Sequence, residues 1–191
     1  RFDQVWAGIE KAYAHGFDPI KLNVVALKGY NDDEFVDLAK LSMTYPFHIR
    51  FIEYMPIGNA LMQSDDYILA PDIQSRLSVL GDLVPVKRKR MDGPAQRYRF
   101  KDARGEIGFI QAMSRHFCHT CNRLRLTANG QLRPCLLSDK QLDIRGPLRN
   151  GCSDDELKAV FFRAVRYKHE SHHFAPGSSS GVDDPMSGIG G

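Results

Sequence analysis

The sequence is poor in several features, and each shortage narrows what the chain does. No apolar run approaches the roughly 20 residues of a membrane-spanning helix, so no membrane partner is expected. The formal charge is only +3, which permits an anionic ligand but does not by itself predict nucleic acid. There are four cysteines in 191 residues and no secretion signal, a combination that favours metal or redox chemistry over a disulfide scaffold. No internal repeat is visible. Apolar content is 42%, ordinary for a folded protein, and the length suffices for one domain, or one and a fraction.

Three of the four cysteines fall in one stretch, HFCHTCNRLRLTANGQLRPCLL, as C-x2-C-x13-C at Cys118, Cys121 and Cys135. Between them Arg123-Leu124-Arg125-Leu126 alternates, which puts both guanidinium groups on one face of a strand and both leucines on the other. Asn129-Gly130 predicts a two-residue hairpin turn, since both positions tolerate positive φ. In that register Cys135 lies opposite Leu124, roughly 10 Å along the strand from Cys121. Pro134 cannot donate to a ladder, so a bulge or early strand exit there closes the gap. Three thiols and two arginines are thereby gathered in one unit.

Such spacing has three readings. A structural zinc site wants four ligands, and Cys152, His116 or His119 is available to complete one. A disulfide with spare thiols is the second. An iron–sulfur cluster is normally held by four cysteines, so three leave one iron without a protein ligand and free to meet substrate. Arginines beside that iron suit a phosphate-bearing substrate, because guanidinium forks match phosphate oxygens. Spacing alone does not decide between zinc and iron.

The residues FCHTCNRLRLTANGQLRPCL resemble the C-terminal signature of the molybdenum cofactor biosynthesis protein A family, radical S-adenosylmethionine enzymes with GTP 3′,8-cyclase activity. GFDPIKLNVVALKGYNDDE, IRFIEYMPIG, KHESHHF and MSGIGG extend the resemblance over nearly the whole chain. Family members also carry a CxxxCxxC motif near the N-terminus for the cluster that cleaves S-adenosylmethionine. That motif is absent here, and the sequence opens without Met inside a predicted helix, so the chain is expected to be a C-terminal portion.

The resemblance implies conversion of GTP to (8S)-3′,8-cyclo-7,8-dihydroguanosine 5′-triphosphate by the complete enzyme, with this portion inactive alone. It implies a second [4Fe–4S] cluster on Cys118, Cys121 and Cys135, and leaves Cys152 a bystander. GTP contacts are implied at Lys21, Arg50, Arg123, Leu124 and Arg125, and an S-adenosylmethionine contact at Met55. Gly190 and Gly191 would reach into the active site. Expected partners are GTP, S-adenosylmethionine, an electron donor, a second copy of the chain, and the next pathway enzyme, cyclic pyranopterin monophosphate synthase. The expected location is cytoplasmic. The competing function is a zinc-stabilised nucleic-acid-binding module using Lys87-Arg88-Lys89-Arg90 with Arg97 and Arg99.

Patterning supplies the fold expectation. Phe2, Val5, Trp6, Ile9, Ala12 and Tyr13 predict a helix stopped at Gly16. Ile20–Leu27 predicts a strand buried on both faces. Asn31 with Glu34 predicts a capped helix to about Met43, and Phe47–Tyr54 a second strand, with Arg50 and Glu53 on opposite faces. This helix–strand rhythm, with the resemblance, predicts the last units of a partial (β/α) barrel over residues 1–62. An α+β domain with antiparallel strands and the cysteine-bearing hairpin is expected over 63–174. It would include a helix over Pro71–Leu80 and strands at Leu83–Arg88, Gln96–Phe100 and Glu106–Met113. A polar connector is expected over Asp139–Arg149, then a helix capped by Ser153 and Glu156 running to about His169. Residues 175–191 have the composition of a flexible tail.

Overall fold

The helical spacing at the start of the chain becomes α1, Phe2–Ala14. It closes in a Schellman turn, the amides of Gly16 and Phe17 donating to the carbonyls of Tyr13 (3.0 Å) and Ala12 (3.2 Å). The geometry is that of a computed structural model, which describes residues 2–55, 57–58, 67–88, 92–115, 117–169, 182 and 184–189. The chain divides into two compact units, Arg1–Tyr54 with Asp66–Arg115, and Met55–Asp65 with His116–Gly191.

The first unit is a mixed α/β layer. Its strands are β1 (Lys21–Ala26), β2 (His48–Glu53), β3 (Val84–Pro85), β4 (Gln96–Arg99) and β5 (Glu106–Ile110), in the order β1-β2-β5-β4-β3. β1, β2 and β5 run parallel, whereas β4 and β3 are antiparallel additions. The antiparallel set is therefore not separate from the preceding helix–strand units. β5 docks directly against β2, and the first unit takes in residues 66–115.

One face of this sheet is buried under α2 (Phe35–Thr44) and α3 (Ala70–Leu77). Ile49, Phe51, Ile107 and Phe109 point into that layer and meet Phe35, Ala39, Ile73 and Leu77 in one core. Each of the larger apolar side chains contributes about 1.5–3 kcal/mol by leaving water. The opposite face is polar. β1, expected to be buried on both faces, alternates instead, with Lys21, Asn23 and Val25 exposed and Ala26 buried. Asn31 does not cap α2 either. Its amide bridges back to the end of β1, accepting from Leu27 N (3.0 Å) and donating to Val25 O (2.9 Å). The side chain is thereby spent on the strand exit, and Glu34 occupies the helix start without a side-chain cap.

Glu53 closes the buried layer. Only 1% exposed, its carboxyl accepts from the amides of Ala70 (2.9 Å), Met113 (2.8 Å) and Ser114 (2.8 Å) and from the Ser114 hydroxyl. One side chain at the end of β2 thus joins the first turn of α3 to the segment leaving β5.

The second unit is built on a separate antiparallel sheet, β6 (Arg125–Leu126), β7 (Gln131–Arg133) and β8 (Leu142–Asp143), followed by α4 (Arg145–Arg149) and α5 (Asp154–Arg166). The hairpin between β6 and β7 does not use a two-residue turn. Thr127 pairs with Gln131 (N to O, 2.9 Å), and Gly130 N donates to Thr127 O (3.0 Å) with φ of 81° at Gly130. This is a three-residue loop with the glycine in the left-handed position. Arg125 consequently faces Arg133, and Leu126 faces Leu132, one residue away from the expected register. The expected polar connector contains β8 and α4, because Leu142 and Ile144 are buried. An apolar alternation of so few residues is a weak signal in sequence. The reciprocal Ser153–Glu156 capping box at the start of α5 is present, and Val160 and Ala164 carry that helix onto Leu132 and Leu142.

The described part of the C-terminal segment is packed. Val182 and Ile189 are buried with Ile57, against Met55, Leu136 and Leu137. Asp184 meets the wholly buried guanidinium of Arg133 at 2.6 Å, beside Asp139 at 3.0 Å. A low-complexity composition does not reveal two apolar residues and one carboxylate spaced to dock. Asp184→Asn is expected to speed amide hydrogen exchange in the described part of this segment severalfold while leaving α5 unchanged, since the bond to a buried arginine loses its charge assistance. Exchange measured by mass spectrometry checks this.

Candidate functional site

The cysteine loop of the second unit begins with a single 3-10 turn, Cys118–Thr120. The amides of Thr120 and Cys121 donate to the carbonyls of Phe117 (3.1 Å) and Cys118 (3.0 Å), which places Cys118 and Cys121 at the two ends of one turn. The chain then runs through Arg123 and Leu124 into β6. Leu124 packs on the Leu132–Val160 core, which turns Arg123 and Arg125 away from it. Arg123 lies over the Phe117 ring at 5.1 Å, a cation–π contact. Arg125 is half-buried, and burial followed by the neighbouring Arg123 charge lowers its pKa from the usual guanidinium value, against the pull of Cys135 and Cys121.

Lys168, two residues beyond α5, completes this arrangement. Its ammonium group donates to Arg123 O (2.8 Å), Pro134 O (2.8 Å) and Cys121 Sγ (3.7 Å). Burial pushes the Cys121 thiol up, but the Arg123 amide and the Lys168 and Arg123 charges outweigh it and bring the thiol below its ordinary range. No sequence pattern singled out this lysine beyond its place in KHESHHF, because the contact is made between segments more than 30 residues apart.

All four cysteines are free thiols and half-buried. Cys152 stands before α5, its amide donating to Pro147 O (3.1 Å). Among the described residues, no three His, Cys, Asp or Glu side chains are gathered closely enough to form a metal site. The donor chemistry nonetheless fits a thiolate-bound group, with three free thiols flanked by Arg123, Arg125 and Lys168, whose charges lower the cost of deprotonated sulfur. His116, Gly190 and Gly191, and also Lys89, Arg90, His172 and His173, lie outside the described residues.

In the first unit the polar face of the sheet carries Lys21 and Arg50. Register aligns Lys21, His48 and Glu106 in one row, and Asn23, Arg50 and Gly108 in the next. A cavity of about 190 Å³ opens over them, lined by Lys21, His48, Arg50, Arg97, Glu106 and Gly108 among others. Arg50 donates to Asn23 Oδ1 (2.8 Å), and its stem passes 3.1 Å from where a side chain on Gly108 would begin. Glycine there leaves the space in which Arg50 lies. Arg97 and Arg99 are not a free basic stripe. Both pair with Glu106, and Arg97 also holds Asp92 at 2.6 Å. Met55, in the second unit, packs against the Ile57–Val182–Ile189 cluster.

The same row makes a pH prediction. Burial, then Arg97 and Lys21, hold the His48 imidazole below its ordinary pKa against the opposing pull of Glu106. Burial alone would raise the Glu106 carboxyl, but Arg97, His48 and Arg99 bring it below the ordinary value. Both folded-state pKa values are depressed, so both contributions to stability are present above the unfolded values and lost as pH falls. The His48 part goes first, below about 6.5. The melting temperature is expected to drop between about pH 7 and about pH 5, and His48→Gln to flatten that part of the profile. Thermal melts across the range check it.

Comparison with known proteins gives a consistent picture. The family described as Molybdenum Cofactor Synthesis C matches residues 47–174. The chain is 50% identical over 173 residues to a GTP 3′,8-cyclase of Moorella thermoacetica, covering 91% of this chain and 54% of that protein. It is 45% identical over 174 residues to the corresponding enzyme of Pelotomaculum thermopropionicum, covering 90% and 54%. With that of Heliobacterium modesticaldum it shares 44% identity over 196 residues, covering 100% and 59%. The chain thus spans a little over half the length of these relatives. No helix among the described residues is long and apolar enough to cross a membrane.

Proposed function

From the premise that this chain belongs to the Molybdenum Cofactor Synthesis C family, we propose that it is the C-terminal portion of a GTP 3′,8-cyclase, and that it binds GTP and a second iron–sulfur cluster. Cys118, Cys121 and Cys135 would hold that cluster, and with three protein thiolates it would keep one iron available to the purine. When bound, the cluster supplies a Lewis-acidic iron that orients the base. The chain's own residues do the rest. Arg123 and Arg125 offer guanidinium forks to the nucleotide, with the Leu124 backbone between them. The resemblance also assigns Lys21 and Arg50 to GTP and Met55 to S-adenosylmethionine, and brings Gly190 and Gly191 to the reacting centre. Their common task is orientation, because a ribose radical has to meet C8 of the guanine within bonding reach. The three parallel strands would be the last of a partial (β/α) barrel. Radical formation would need the CxxxCxxC cluster of the longer enzyme, so this portion alone is expected to be inactive.

The observation that carries this proposal is the clustering of three cations, Arg123, Arg125 and Lys168, around a loop with free Cys118, Cys121 and Cys135 thiols. Anaerobic reconstitution followed by iron, sulfide and zinc analysis tests it. About four irons per chain are expected, falling to near none in Cys118→Ala, Cys121→Ala or Cys135→Ala and unchanged in Cys152→Ala. Stoichiometric zinc without iron would sink the proposal and favour a zinc-stabilised module.

A further inference from the structure

We infer that Lys168 is a positioning residue for the cysteine loop, a clamp that sets the separation of the CxxC turn from the strand leading to Cys135 and places a positive charge beside the Cys121 sulfur. The inference deepens the cluster proposal and rests on it.

An ammonium group has three hydrogens and no acceptor. Here three acceptors meet it, Arg123 O and Pro134 O at 2.8 Å and Cys121 Sγ at 3.7 Å. Arg123 O belongs to the limb that carries Cys118 and Cys121, and Pro134 O to the residue preceding Cys135. The hairpin ladder does not perform this task. On the side of the cysteines the β6–β7 ladder ends at Arg125↔Arg133, and Pro134 has no amide hydrogen to extend it. Beyond Arg125 the two limbs are joined through the lysine.

The lysine is itself well placed to hold. Its amide donates to Val165 O (3.1 Å) at the end of α5. That helix is anchored at its start by the Ser153–Glu156 box and along its length by Val160 and Ala164 on the β7–β8 core. Cys121 also accepts from the Arg123 amide, so its sulfur faces one backbone dipole and one full charge. Partners of this kind around a ligating sulfur orient the ligand and tune the group it holds. A cation there favours the more negative, reduced form of a thiolate-bound cluster.

The test uses the full chain, reconstituted anaerobically, with Lys168→Met, Lys168→Gln and Lys168→Arg beside the unsubstituted protein. The Met variant is expected to lose half or more of its iron and to move the midpoint potential of the remaining cluster to more negative values. The Gln variant should keep part of the loading with the same displacement of potential, and the Arg variant should restore both. In the metal-free chain, hydrogen exchange in residues 117–126 and 131–137 is expected to quicken severalfold in Lys168→Met while α3 is unaffected. Iron content and potential equal to the unsubstituted chain in either the Met or the Gln variant, or unchanged exchange in the metal-free Met variant, would overturn the inference. If the unsubstituted chain takes no iron, the cluster proposal fails, and the exchange experiment still decides whether Lys168 clamps the loop.

Discussion

Glu53→Ala is expected to lower the unfolding free energy by about 3 kcal/mol or more. The alanine leaves the amides of Ala70, Met113 and Ser114 without their acceptor, the first two of them in buried bonds, and an orphaned buried donor costs about 1–3 kcal/mol. Glu53 is 1% exposed, so water does not replace the carboxyl without opening the layer. For a chain of this size the loss corresponds to a fall in melting temperature of roughly 6 °C or more. Glu53→Gln should also be costly. One of its two terminal atoms becomes a donor, whereas both carboxyl oxygens now accept from amides. Denaturant unfolding of both variants checks the expectation, and a loss below 1 kcal/mol for the alanine would show that the three segments hold together without it.

Arg125→Ala in the full-length enzyme is expected to weaken GTP binding by tenfold or more while leaving iron content intact. A hydrogen bond to a charged group is worth about 1.5–3 kcal/mol, and a guanidinium that is already partly desolvated has less to lose on meeting a phosphate. The side chain stands on β6, on the face opposite the Leu124 core contact. Arg125→Lys should recover only part of the affinity, because an ammonium is a point charge and not a fork. Titration calorimetry with GTP measures both. Unchanged affinity in the alanine variant would remove Arg125 from the nucleotide site.

The role of Glu53 has no local signal in the sequence, whereas Arg125 has one. Glu53 read simply as the polar member of an alternating strand. Its three amide partners lie 17, 60 and 61 residues away, and no local pattern announces such a meeting. Arg125 was legible because a two-residue period places it with Arg123 regardless of what the strand pairs with. Pairing itself was not legible. The turn at Gly130 adopted a three-residue loop where Asn129-Gly130 suggested two, and the register moved by one residue. Both loops suit the same dipeptide, and in the observed register Leu132 pairs with Leu142 of β8.

Local chemistry, then, was settled by the order of residues alone: where helices start and stop at Ser153 and Gly16, which side chains share a strand face, and which three thiols lie in one stretch with two arginines. Folding in three dimensions decided the rest. It set β5 against β2, turned Asn31 from helix cap to strand anchor, buried Arg133 beneath Asp184, and brought Lys168 to Cys121. The reason is common to all four. Helix and turn preferences act over a few bonds and are written in neighbouring residues, whereas a sheet partner, an ion pair or a clamp depends on which distant surfaces bury each other best, and that is fixed only when the whole chain has packed.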